Sequence, residues 1–102
     1  MKIAITSEGK TLDARMDSRF GRCAFFAIYD TESQTTDFVA NPAKELPGGA
    51  GPAAVQFIAS KGVAKIVAAE FGGKVKPLLE ELDIEMVIKK EKTIAEIIEA
   101  YK

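Results

Sequence analysis

The change of apolar rhythm at Asn41–Gly51 most constrains what this chain can fold into. Before it, apolar residues fall in short β-branched and aromatic runs separated by turns; after it, helical spacing alternates with strand-like runs. A chain that starts with strands and continues as alternating helix and strand builds a mixed sheet with helices on its faces. The boundary, NPAKELPGGAG, carries Gly48, Gly49 and Gly51. These glycines open dihedrals closed to other residues and leave backbone amides uncovered. Pro52 follows and suits the first turn of a helix, where its missing N–H costs nothing. Such a loop can receive an anion or a cluster ligand, or it can be a plain connection.

Lys2–Thr6 reads as a central strand, Cys23–Tyr29 as a second and Thr35–Ala40 as a third, with DTESQ as the hairpin loop. Phe25, Ala27 and Tyr29 share one face of the second strand, and Phe26 and Ile28 the other. Both faces are apolar, which predicts cover on both sides. Pro52–Lys61 reads as a helix ending at Gly62, with Ala54, Val55, Phe57 and Ile58 inward. Val63–Ala69 is strand-like. A second helix is expected from about Lys74, with Val75, Leu78, Leu79 and Leu82 on one face and Pro77 near its first turn. Ile84–Ile88 is the last strand. Thr93 and Glu96 have capping-box spacing before a final helix that carries Ile94, Ile97, Ile98 and Tyr101. The order βββαβαβα predicts an α/β fold, a mixed five-stranded sheet with three helices and right-handed crossovers. Neither half can bury its apolar face alone, so residues 1–102 are expected to form one domain.

A net charge of −1 gives no general attraction to nucleic acid or anionic lipid. No run approaches the length of a membrane span and MKIAITSEG is no signal peptide, so a cytoplasmic protein is expected. The chain has no histidine, which removes the commonest neutral-pH acid–base group and nitrogen ligand. Its one cysteine excludes an internal disulfide framework and a zinc site built from several thiolates. Ser7, Ser18 and Ser60 have no histidine to activate them. The pairs Asp13 with Asp17 and Glu8 with Glu70 lack any spacing specific for a cation. GGAGPAA lacks the GK[ST] ending of a phosphate loop, and EFGG lacks GxGxxG spacing. An enzyme is not expected.

Three loops, Ser7–Arg22, Glu45–Gly51 and Glu70–Gly73, are expected to open toward one end of the sheet, where open α/β folds place ligands. Arg15, Arg19 and Arg22 are the chain's only arginines. Their guanidinium groups either contact an anion or pair with Asp13 and Asp17 within the loop. Phe20 is either a lid anchored in the core or an exposed contact. Cys23 is either a small buried hydrophobe or a thiolate, eased by Arg19 or Arg22, that ligates a metal or cluster. In the second case a stable cluster would need two chains, or a second soft group such as Met16 across a flexible loop.

MKIAI, then SRFGRCAFFAIYD, then the run from NPAKELPGGAGP to LLEELDIE together resemble the dinitrogenase iron–molybdenum cofactor biosynthesis family over nearly the whole chain. The most specific pieces are Phe20-Gly21-Arg22, Asn41-Pro42, the Gly48–Pro52 loop and Gly72-Gly73-Lys74. The resemblance implies a three-layer, ribonuclease H-like fold with sheet order 3-2-1-4-5 and the second strand antiparallel to the rest. It also implies a non-catalytic protein that binds or carries a metal–sulfur cluster or related anionic cofactor, of iron–sulfur or iron–molybdenum type. The implied binding positions are Arg19, Phe20, Gly21, Arg22, Cys23, Gly48, Gly49, Gly51, Gly72 and Gly73. The implied partner is a cluster donor or acceptor protein, the chain itself being a monomer or weak homodimer. Many relatives carry a histidine where Arg19 stands and another near Gly49, and both are absent here. The alternative is therefore a cofactor-free interaction or regulatory domain that has lost cluster binding, with a docking patch at Phe71 or on the third strand.

Overall fold

The computed structural model describes residues 1–102. In chain order the elements are β1 (Lys2–Ser7), β2 (Phe25–Asp30), β3 (Thr35–Ala40), α1 (Ala50–Ser60), β4 (Val63–Ala68), α2 (Val75–Glu81), β5 (Glu85–Ile88) and α3 (Ile94–Glu99). The sheet order is β3-β2-β1-β4-β5, as expected. β2 runs antiparallel to β1 and β3, while β4 is parallel to β1 and β5. The α/β architecture with three helices holds.

Alternation along β2 divides the core. Phe26 and Ile28 join Ala4, Ile66 and Ala68 under α1 and α2, where Val55, Ile58 and Leu79 are buried. Ala27 and Tyr29 point the other way, with Ile3, Ile5 and Val67, beneath Ile94, Ile97 and Ile98 of α3. The sheet thus lies between two helical layers, and fully burying each such side chain contributes about 1.5–3 kcal/mol. Thr93 caps α3 by accepting from the Glu96 N–H at 3.2 Å, and the Glu96 carboxylate accepts from the Thr93 N–H at 2.9 Å. The predicted capping box is present.

Several boundaries move, each for a local reason. β2 begins at Phe25 rather than Cys23, because the Ala24 N–H turns aside to the Asp17 carboxylate at 3.2 Å. α1 begins at Ala50, two residues before Pro52, so Gly51 lies within the helix rather than in the loop. Among the three glycines of that boundary only Gly49, the N-cap, takes a left-handed φ, of 70°. Leu82 falls past the end of α2 and is exposed, because Asp83 turns left-handed (φ 56°). The Ile84 N–H then closes on the Leu79 carbonyl at 2.9 Å, and Ile84 takes the core position. Phe71 is buried against Phe20, their ring centroids 5.8 Å apart, so it offers no docking patch.

Candidate functional site

Ser7, Ala40, Ala68 and Ile88 all end their strands at the edge where Phe25 starts β2. The three expected loops therefore meet there. A fourth segment, Lys89–Lys92, joins them without any motif to mark it in advance.

The long polar loop is not flexible. Asp17 and Thr6 exchange backbone and hydroxyl hydrogen bonds of 3.0 and 2.8 Å. The Met16 N–H donates to the Lys92 carbonyl at 2.9 Å, and the Ile94 N–H to the Ala14 carbonyl at 2.9 Å. This stitching lays residues 14–16 beside 92–94 as a short extra pairing at the sheet end. It also buries Met16 in the α3-side core. Cys23 lies in the other core, across the sheet, with Phe20 and Phe26. Met16 cannot swing to Cys23, and the two-ligand arrangement expected from sequence does not exist.

Cys23 itself is 0% exposed. Burial, together with the nearby Asp17 charge, pushes its thiol up to about 12, against a small opposing effect of the Asn41 amide. It is a neutral core thiol at ordinary pH, sealed from solvent and without the thiolate character a ligand needs. Asn41, also buried, explains the Asn-Pro piece of the sequence. Its Nδ2 donates to the Gly21 and Cys23 carbonyls at 2.9 and 3.0 Å, and its Oδ1 accepts from the Ala43 N–H at 3.0 Å. The first two bonds tie the 21–23 turn to the chain that follows β3, and the third fixes the turn of that chain at Ala43.

The two candidate arginines have different tasks. Arg22 donates from Nη1 to the Lys44 and Leu46 carbonyls at 3.0 and 2.8 Å, holding the loop before the glycines in place. Arg19 pairs with Asp17 through Nε and Nη2, at 3.1 and 3.2 Å. Burial alone would raise the Asp17 pKa, but the Arg19 side chain, the Arg19 and Ala24 N–H groups and the Arg19 charge outweigh it. The net shift is downward. Sequence reading counted Asp17 as one of several loop charges; only the fold shows that it organises the loop.

Arg19, Phe20, Gly21, Arg22, Ala50, Gly51, Glu70, Gly72 and Val75 line one cleft of about 350 Å³. Six of the ten positions named from the sequence meet there. Cys23, Gly48, Gly49 and Gly73 do not line it. Phe20 is buried, its ring packed at tilted angles with centroids 5.8 Å from those of both Phe26 and Phe71. Gly21 is required by contact: a Cβ there would sit 2.8 Å from the Gly51 nitrogen and 2.9 Å from its Cα. That approach brings the arginine turn directly onto the start of α1. A Cβ at Gly51 would in turn meet the Val75 side chain at 2.8 Å, so the starts of α1 and α2 also pack closely.

Neither helix start has a side-chain cap. The N–H groups of Ala50 and Gly51, in the first turn of α1, find no acceptor within the protein. In α2 the Val75 and Lys76 N–H groups both close on the Gly72 carbonyl and Pro77 has none, so the open N–H groups of Gly72 and Gly73 lie in the turn before that helix. Amides left open at the start of α1 and in the glycine turn, beside a guanidinium, favour an anion. The cleft carries no thiolate or imidazole, so it can hold a negative group by charge and hydrogen bonding but supplies no soft ligand to a metal. Glu70 opposes such a group. It also lines a neighbouring cavity of about 440 Å³ with Glu8, Arg15, Met16, Ser18, Ala69, Lys90 and Glu91. No three His, Cys, Asp or Glu side chains gather into a cation site anywhere in the structure. No helix is long and apolar enough to cross a membrane.

The family model for dinitrogenase iron–molybdenum cofactor matches residues 1–102. The apo form of the orange protein from Desulfovibrio gigas is 30% identical and superposes with a TM-score of 0.91, over 98% of this chain and 85% of that one. A candidate NifB protein from Thermotoga, solved by NMR, is 34% identical with a TM-score of 0.84, again over 98% of this chain and 85% of that one. No curated protein matches the sequence.

Proposed function

From the premise that this chain belongs to the dinitrogenase iron–molybdenum cofactor family, we propose that it is a non-catalytic carrier of a preassembled, negatively charged metal–sulfur cluster. The family is associated with the making and binding of iron–molybdenum cofactor. The observation that carries the proposal for this chain is the convergence on one cleft of the uncapped start of α1, the open glycine turn at Gly72 and the Arg19 guanidinium. Arg19, Gly21, Arg22, Gly51 and Gly72 form its working surface. Open N–H groups and a guanidinium suit a cluster that arrives with its own sulfide ligands and sheds none of them. Cys23 is left out of the ligand set because it is buried and protonated. The partner is a protein that donates or accepts the cluster.

The test is anaerobic equilibrium dialysis against isolated iron–molybdenum cofactor, with iron, molybdenum and sulfide assayed. Retention by the wild-type protein and loss on Arg19→Gln is the expected result. Retention no greater than that of a control protein would refute the carrier reading and leave the cofactor-free interaction domain.

A further inference from the structure

We propose that Asp17 is a positioning residue for the cargo, holding the Arg19 guanidinium with one edge turned to the cleft; this rests on the carrier reading. Asp17 is itself fixed to the sheet. Its N–H donates to the Thr6 carbonyl at 3.0 Å, and its carbonyl accepts from the fully buried Thr6 hydroxyl at 2.8 Å. Its carboxylate is then used on both oxygens. Oδ1 accepts from the Arg19 N–H and Nε at 3.0 and 3.1 Å, and Oδ2 from Arg19 Nη2 and the Ala24 N–H at 3.2 Å each.

The two partners face different surroundings. The Asp17 side chain is 3% exposed and that of Arg19 56%. One edge of the guanidinium is therefore held from beneath. Nη1 has no acceptor in the protein, and Arg19 lines the cleft. An arginine on a surface loop ordinarily loses rotamer freedom when it binds; this one has been ordered in advance by the fold. The alternative, that the carboxylate acts only through its charge, predicts the opposite sign. Removing a negative charge beside the cleft would tighten the binding of an anion.

The experiment is the same dialysis against isolated iron–molybdenum cofactor, with wild type, Asp17→Asn, Arg19→Gln and the double variant. Asp17→Asn is expected to weaken retention by about three- to tenfold, the range set by freeing one rotamer-rich side chain. In the Arg19→Gln background the same substitution is expected to change retention by less than about twofold, because Asp17 acts through Arg19. Unchanged or tighter binding by Asp17→Asn, or an equal loss in both backgrounds, overturns the positioning role while wild-type retention keeps the carrier reading. No retention by wild type removes both. A second measurement does not depend on the variant folding. In the wild-type protein without cargo, the Arg19 Nε–H should give a distinct, slowly exchanging NMR resonance, unlike that of exposed Arg15. An Arg19 signal exchanging as fast as that of Arg15 overturns the proposal.

Discussion

Raising the pH from 8 to 10 should weaken the fold through Cys23, by an amount that the burial of its thiol sets. The thiol ionises near 9.0 when free and is pushed up to about 12 in the folded chain. A group whose folded pKa is raised contributes stability below its unfolded pKa, and that stability is lost as pH climbs toward the folded value. The window here is therefore about 9 to 12. The full difference of three units corresponds to about 4 kcal/mol, an upper bound reached only at the alkaline end. At pH 10 the unfolded chain is one unit past its thiol pKa while the folded thiol is still neutral, so the loss is about 1 kcal/mol. Lysines and tyrosines also titrate in this range, and a subtraction removes them. Urea unfolding of wild type and Cys23→Ala at pH 8 and pH 10 gives the stability gap between the two proteins at each pH. That gap should fall by about 1 kcal/mol from the lower pH to the higher. A gap that does not move between the two would refute the buried neutral thiol. The same variant tests the ligand reading: Cys23→Ala should hold cofactor as wild type does, and loss of cofactor by a folded Cys23→Ala would restore the cysteine as a ligand.

Three further outcomes follow from the geometry. Gly21→Ala places a methyl against the Gly51 backbone at 2.8 Å, where no side chain can yield, and should cost about 1–3 kcal/mol in denaturant unfolding. Gly72→Ala meets nothing within 4 Å and should unfold within about 0.5 kcal/mol of wild type, so equal losses in the two variants would refute the close approach. Tyr29→Phe removes a buried hydroxyl that has no partner, and its unfolding free energy should be unchanged or higher; a loss above about 1 kcal/mol would reveal a hydrogen bond to that hydroxyl. Glu70→Gln removes the carboxylate opposing a cluster in the cleft and should raise cofactor retention by about threefold at low salt, fading as salt is added; weaker retention would show that Glu70 holds the cargo.

The order of elements was legible because it rests on periodicity; the sheet order 3-2-1-4-5 was implied by the family resemblance and not by any spacing. Alternation of two apolar faces along Phe25–Tyr29 predicts a strand covered on both sides, and Thr93 with Glu96 marks a helix start by a local, reciprocal hydrogen bond. Those signals act over a few residues and survive in any tertiary setting. The three loops at the carboxyl ends of the parallel strands were legible for the same reason, since strand direction fixes where loops emerge.

What the loops do was decided only by tertiary structure. Asp17 reads in sequence as one of several charges; it organises the loop because Thr6 holds its backbone to the sheet while Arg19 and the Ala24 N–H meet its carboxylate. Arg19 and Arg22 look alike in sequence. Both line the cleft, but Arg22 commits its Nη1 to the carbonyls of Lys44 and Leu46 while Arg19, held by Asp17, keeps its Nη1 unpaired. Met16 and Cys23, seven positions apart, are separated by the sheet itself, which no spacing rule encodes. Sequence determines local backbone and which faces are apolar, because those energies are short-ranged. Which donors remain unpaired, and which thiol stays neutral, depends on contacts between distant segments, and these exist only once the sheet has closed over its two cores.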